Sequence, residues 1–313
     1  MIINTGQRTD IPAFFPEWLA NRFREGYVCV RNPYNPVQVS RYRLDPKVVD
    51  AIGFCSKNPA PFFQYMDLIK DFGQYWYITI TPYGKDIEPG VPDKADVMES
   101  FKQLSNMVGI DRIGWRYDPI FIDEKYTYDF HIEAFSKMAS NLKGYTNHVV
   151  ISFIDIYDKV KRNFPEAKPV SADDKVALGQ QIIEIAKAND MVVKPCAEGD
   201  FLAKYGADCR GCMTIAMYEK AIGARLLAPK SNVKPARADC ACYLGADIGS
   251  YDTCRHFCRY CYANNDIEQV AKNKALHDVN SPFLIGNYRK DDIINDVKQQ
   301  SWIDKQMSLF DFI

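Results

Sequence analysis

A chain of 313 residues with 47% hydrophobic and 25% charged side chains can bury a core without a disulfide framework, and its length suits one barrel-sized domain. A net charge of −1 excludes a global basic field for nucleic acid, so any such contact needs a local patch. No apolar run approaches the ~20 residues of a membrane span, and the opening MIINTGQRTDIP lacks a signal peptide's basic start and apolar stretch; the expected setting is the cytoplasm, with no membrane contact.

Residues 1–4 are a short apolar run expected as a first strand. Over 6–26, Asp10 is placed to cap a helix with Pro12 early in it. Phe15, Trp18, Leu19, Arg22 and Phe23 fall at helical spacing, and Gly26 stops the run. Residues 27–42 predict a hairpin, with Val28 and Val30 alternating before Asn32-Pro33-Tyr34-Asn35-Pro36 and Val37 and Val39 after it. A strand over 51–54, a helix over 60–72 and a strand over 75–81 follow. Helix 93–108 carries Val97, Phe101, Leu104 and Val108 on one face, with Gly109 as its stop. Then come a strand over 112–116, a helix marked by Phe135, Met138 and Leu142, and a strand over 148–152. A helix marked by Leu178, Ile182 and Ile185 and a strand over 191–194 complete the alternation.

Strands alternating with helices predict an α/β fold with a parallel sheet and right-handed crossovers. Six such strands are too few for an eight-stranded ring, unless 215–235 supplies more, and suit an open, partial (β/α)6 TIM-like barrel. The expected layout is a barrel over 1–195 with the hairpin 27–42 inserted, a cysteine-rich metal-binding segment over 196–265 packed on it, and a helical or extended tail over 266–313. No internal repeat or low-complexity linker interrupts it.

In such barrels chemistry sits just past the C-terminal ends of the strands. That rule collects Arg8 and Asp10; Ser56, Lys57 and Asn58; Thr81 and Tyr83; Arg116, Tyr117 and Asp118; Ser152 and Asp155; Cys196 and Glu198. Arg8, Asp10, Lys57, Arg116, Asp118 and Glu198 are the candidate catalytic side chains, and Asn58, Ser152 and Tyr260 the candidate cofactor contacts. Converging arginines and carboxylates suit an anionic substrate or the polar ends of a cofactor. The plainer reading of each is a helix cap or a solvated turn: Asp10 caps its helix, and Asp118 opens a turn before Pro119. His131 and His148 lack metal spacing and are expected in core or surface roles.

Eight of the ten cysteines fall between Cys196 and Cys261, which in a reducing compartment argues for metal. Cys254, Cys258 and Cys261 form a C-x3-C-x2-C run with Tyr260 before the last. A cubane iron–sulfur cluster takes four thiolates, one per iron, so three leave one iron open. The run resembles the motif of radical-SAM enzymes, where S-adenosylmethionine sits on that open iron, and its Cys-Arg-Tyr-Cys-Tyr wording is similar to the cluster loop of spore photoproduct lyases. Two plainer readings stand beside it: a structural zinc completed by His256 or Cys242, and a closed electron-transfer cluster with a fourth protein ligand. Cys209-x2-Cys212 and Cys240-x-Cys242, with Cys196, offer five more thiols. Four of them suit a second iron–sulfur cluster or a zinc, one of Cys209 and Cys212 being surplus; the plainer reading leaves some of these thiols free. Cys29 and Cys55 are isolated and expected to be buried as small hydrophobes.

The stretches RTDIPAFFPEW, EGYVCVRNPYNP, SKNPAP, WRYDPI and the final YCYAN together resemble, over nearly the whole chain, a bacterial family catalogued only as domain of unknown function 1848, whose C-terminal cysteine cluster is described as similar to that of radical-SAM proteins. The resemblance implies a [4Fe–4S] cluster on Cys254, Cys258 and Cys261, S-adenosylmethionine at its open iron, a reductant such as flavodoxin or ferredoxin, and a 5′-deoxyadenosyl radical that abstracts hydrogen from a substrate. Two departures stand out. Ordinary radical-SAM proteins carry the cysteines after the first strand, whereas here they follow all six. The usual Gly-Gly-Glu segment after the second strand is replaced by SKNP.

The chain ends QQSWIDKQMSLFDFI. Gln306-Met307-Ser308-Leu309-Phe310 is similar to the peptide by which bacterial repair and replication proteins dock on the DNA sliding clamp, with Leu309 and Phe310 as apolar anchors and Gln306 fixing register. The alternative is a plug packed on its own barrel. Docking points to DNA repair, and to a second functional reading: a non-enzymatic, metal-stabilised accessory protein recruited to the clamp.

Overall fold

The first helix shows how local chemistry sets the elements. In the computed structural model, which describes residues 1–229, 240, 242, 243 and 245–306, β1 (Ile2–Asn4) leads into α1 (Ile11–Phe14). Asp10 caps α1, its Oδ1 accepting from the Ala13 N–H at 3.1 Å. The single helix expected over this stretch is two. Pro16 brings no N–H and disfavours helical backbone at the residue before it, so Phe15 swings to φ −136° and α2 starts afresh over Pro16–Glu25. Gly26 ends α2 at φ +76°, the left-handed conformation that glycine takes without a Cβ penalty.

The hairpin forms as expected, β2 (Tyr27–Arg31) against β3 (Gln38–Arg43), antiparallel. Then come β4 (Ala51–Ser56), a 3-10 helix (Ala60–Ile69) within the stretch expected as a helix, and β5 (Gly73–Thr79). They are followed by α3 (Lys94–Val108), β6 (Ile113–Ile120), α4 (Tyr128–Leu142), β7 (His148–Phe153), α5 (Asp158–Asn163), α6 (Ala172–Ala188) and β8 (Val192–Pro195). The last part holds α7 (Ile215–Ile222), β9 (Ala246–Asp247), α8 (Ile267–Ala275) and β10 (Ile293–Asp296). β10 runs parallel to β3 and completes a small three-stranded sheet. Arg31 pairs there with Asp292, and Arg41 Nε lies 2.5 Å from Asp296.

The main sheet runs β8-β7-β6-β5-β4-β1-β9, every neighbouring pair parallel. Six of its strands are the six expected; the seventh, β9, comes from the cysteine-rich segment and pairs with β1. Order in space follows order in the chain except at β9. Among the described residues β8 and β9 are unpaired edges, so the sheet is open. No described helix is long and apolar enough to cross a membrane.

Strand side chains alternate between the two faces. Ile3, Ile52, Phe54, Trp76, Trp115, Tyr117 and Val149 join the core formed with the helices, which includes Trp18, Phe101, Phe135 and Ile182. Their neighbours Ile2, Ala51, Tyr75, Tyr77 and Val150 face the other way and pack with Cys196, Cys212, Met213, Tyr218, Cys242, Tyr243 and Trp302. One face of the sheet is therefore covered by the crossover helices and the other by the cysteine-rich segment.

Candidate functional site

The loop that carries Cys254, Cys258 and Cys261 leaves the C-terminal end of β9. The Ile248 N–H still bonds the Asn4 carbonyl at 2.9 Å, extending the pairing with β1. Asp247 then accepts from the Gln7 N–H at 2.8 Å and the Gly249 N–H at 2.9 Å, with Arg8 Nε 3.7 Å away. Burial pushes the Asp247 carboxyl up, against the pull of Arg8.

The cysteine loop is pinned to the segment after β5. Gly90 N–H bonds the His256 carbonyl at 2.9 Å and Arg259 N–H bonds the Ile87 carbonyl at 3.0 Å. His256, a candidate fourth ligand, is engaged by other partners. Its Nε2 lies 2.8 Å from Asp10 and its Nδ1 3.2 Å from the Gly90 carbonyl, so both ring nitrogens face acceptors. The three thiols sense one another's charge. Burial raises all three above the ordinary thiol range, with Lys57 opposing it at Cys258 and Cys261. The Ala263 N–H points at Cys261 Sγ from 3.3 Å.

Behind the loop, Glu88 is a hub that the sequence reading did not single out. Its carboxylate receives Lys57 Nζ at 2.8 Å, Thr81 Oγ1 at 2.7 Å, Lys94 and the Tyr260 hydroxyl. Burial alone would raise it, but Lys57 and Lys94 outweigh that and hold it at about 2. Asp10 belongs to the same wall: besides capping α1 and holding His256, it accepts from Ser56 Oγ and the Lys57 N–H, both at 2.7 Å. Asn58 joins only through its backbone N–H, 2.9 Å from Ser56 Oγ.

The other expected residues divide. Arg116 pairs with Asp118, its Nε 3.1 Å away, and Asp118 also accepts from Ser152. Glu198 is turned to a local task, taking the Phe153 N–H at 2.8 Å and Lys175 at 2.9 Å; burial raises its carboxyl. His131 and His148 are core residues. His131 bonds the Tyr117 hydroxyl at 2.9 Å and the Phe121 carbonyl at 2.8 Å, and His148 bonds the Tyr75 hydroxyl at 2.9 Å. Cys29 is buried as expected, its Sγ 3.3 Å from the Tyr288 hydroxyl. Cys55 is not a plain core hydrophobe. It is partly accessible and lies within the field of Arg116, Asp247, Asp10 and Asp118, with burial pushing it up to about 11.

Four of the remaining five cysteines meet on the face of the sheet opposite the crossover helices. Cys212 Sγ lies 3.5 Å from Cys196 Sγ and 3.1 Å from Cys242 Sγ; Cys242 also contacts Cys240. Contacts from Cys212 and Cys242, with Arg116 beyond, hold Cys196 well below the usual thiol range despite its burial. Cys209 stands apart, its Sγ 4.0 Å from the Ala207 carbonyl. Among the described residues no group of three or more His, Cys, Asp or Glu could hold a metal ion as the side chains stand.

The last residue of β1 and the turn after it carry a run of buried polar atoms with no hydrogen-bond partner: Asn4 Nδ2, Thr5 Oγ1, Gln7 Nε2 and Thr9 Oγ1. Beside it opens a cavity of about 360 Å3 lined by Arg8, Lys159, Gly249, Ser250 and Tyr251 among others. Of the clamp-like peptide, the Gln306 N–H bonds Asp304 at 3.0 Å; Leu309 and Phe310 lie outside the described residues.

Residues 2–263 match the family described as Domain of unknown function (DUF1848), and the chain belongs to it. No curated protein matches the chain.

Proposed function

We propose that this member of the family carries an iron–sulfur cluster on Cys254, Cys258 and Cys261 with one iron left open, and acts as an enzyme of the radical-SAM type on an open, partial-barrel sheet. The observation that carries the reading is where β9 lies. In sequence the three cysteines come last, yet in space their loop leaves an edge strand parallel to β1, at the C-terminal end of the strands, where parallel α/β sheets bind their ligands. Taking β9 as the spatial first strand makes β1 the second. The turn after β1, not SKNP after β4, then takes the place of the missing Gly-Gly-Glu segment. The last residue of β1 and that turn are where Asn4, Thr5, Gln7 and Thr9 present unpartnered polar atoms.

The donor set fits the group. Buried thiols that are neutral alone become thiolates beside a cation, and the Ala263 N–H and the Lys57 charge favour that form. With His256 committed to Asp10 and Gly90, three thiols are what this loop offers. Once bound there with S-adenosylmethionine, such a cluster supplies one-electron cleavage to methionine and a 5′-deoxyadenosyl radical. The chain's own part is to hold and to shield. Glu88 fixes Lys57 and the Tyr260 hydroxyl, Asp10 fixes the loop through His256, and the polar atoms at the end of β1 and after it offer contacts to the cofactor's amine and carboxylate. Arg8 and Lys159 give the adjoining cavity a basic wall.

The test is anaerobic reconstitution with iron and sulfide. The reduced protein is expected to convert S-adenosylmethionine to 5′-deoxyadenosine, and the cofactor to change the cluster's electron paramagnetic resonance spectrum. Replacing Cys258 by Ala should abolish both. A wild-type cluster whose spectrum ignores the cofactor, with no nucleoside formed, would sink the reading.

A further inference from the structure

We propose that Cys196, Cys212, Cys240 and Cys242 bind a single tetrahedral zinc ion, a second metal site distinct from the iron–sulfur loop. The spacing of the sulfurs decides between the two kinds of centre. Around one zinc, with Zn–S bonds of about 2.3 Å, the edges of the tetrahedron are about 3.8 Å. The sulfur separations of 3.5 Å and 3.1 Å differ from that edge by less than about 1 Å. Sulfurs this close leave no room for an ion as they stand, and a small outward movement makes it.

In a cubane each thiolate sits on its own iron, at separate corners of the cluster, so its sulfurs stand much farther apart than around one ion. Cys212 lies too close to both Cys196 and Cys242 for the three to sit at separate corners of such a cluster.

The surroundings of the quartet suit a tetrathiolate zinc, which carries two net negative charges. Arg116 Nη1 lies 3.7 Å from Cys212 Sγ, and the Met213 N–H points at Cys242 Sγ from 3.3 Å. The ligands come from separated places: Cys196 follows β8, Cys212 precedes α7, and Cys242 lies 30 positions beyond Cys212. An ion joining them clips the cysteine-rich segment onto Tyr75, Tyr77 and Val150 of the sheet. The role is structural, since four protein thiolates leave no open position for substrate.

The geometry also corrects the choice that spacing suggests. Cys209-x2-Cys212 looks like a chelating pair, but Cys209 points away toward Ala207. The test is metal analysis and zinc-edge X-ray absorption on the full chain purified without oxygen. One zinc per chain is expected, with four sulfur neighbours near about 2.3 Å. Cys212→Ser and Cys242→Ser should lose the zinc, and Cys209→Ser should keep it. A wild type without zinc, a zinc shell with nitrogen or oxygen replacing sulfur, or loss of zinc in Cys209→Ser each overturns the site. Should the ligand variants fail to fold, the wild-type absorption spectrum still decides. Iron content reads the other loop separately, so a zinc-bearing, iron-free protein would remove the proposed function and leave this site standing.

Discussion

His131 and His148 show why a buried histidine need not be a ligand. Each ring sits among aromatic side chains and has both nitrogens engaged by hydrogen-bond partners. Burial lowers His131 to about 4 and His148 to about 3. A folded-state value below the unfolded 6.5 means that the unfolded chain takes up the proton first as pH falls. The stabilising effect is therefore whole above about pH 6.5 and drains away as pH drops toward 4. For His131 the difference corresponds to roughly 3 kcal/mol across that window. Chemical denaturation at a series of pH values should show stability falling below pH 6.5, and His131→Gln should flatten that slope. A variant with an unchanged slope would mean that His131 is protonated in the folded protein. Neither histidine has metal spacing in the sequence, so their core role was legible. The Glu88 hub was not, although the rule that chemistry follows the strand ends reaches it. The residues collected after β5 stopped at Tyr83, short of the loop where Glu88 turns back.

At the scale of elements, the strands and helices with a strong apolar period appear close to where periodicity puts them. The misses have local causes. Proline at 16 splits one helix into two. β9 is two residues long, too short for any alternation to register, although it sets the position of the cysteine loop. That loop depends on a close backbone approach at Gly90. A Cβ there would lie 2.9 Å from His256 Cα and closer still to the Arg255 carbonyl, where real Cβ atoms do not go and the backbone itself must shift. Gly90→Ala should therefore lift the 254–261 loop away from the segment after β5 and break the Gly90–His256 bond. The expected outcome is iron retention reduced several-fold after anaerobic purification, with zinc content and far-ultraviolet circular dichroism unchanged. Normal iron content in Gly90→Ala would show that the loop is not held through this contact.

Across the whole molecule, the part of the chain beyond the family match still belongs to the fold. The Trp18 indole N–H is shared by the carbonyls of Ser281 at 2.9 Å and Phe283 at 3.0 Å, so the core of the crossover helices is closed by residues far along the chain. Trp302 is buried on the opposite side, edge-on to Tyr243 with ring centroids 5.6 Å apart. Its backbone N–H bonds Asp50 at 2.8 Å, just before β4, and its carbonyl takes the Leu227 N–H at 2.7 Å. It thus touches the cysteine-rich segment, the loop into the sheet and the end of the α7 region at once. None of these partners is near it in sequence, so nothing in the local pattern of SWID marks Trp302 as core. Removing so large a buried side chain costs about 3–5 kcal/mol in well-packed proteins. Trp302→Ala should lower the denaturation midpoint accordingly and, because Tyr243 lies next to Cys242, speed the loss of zinc to a chelator, whereas Trp302→Phe should restore most of both. If Trp302→Ala lowers the midpoint while zinc release stays at the wild-type rate, the two sides of this contact are independent, and the tail steadies the sheet without steadying the thiol quartet.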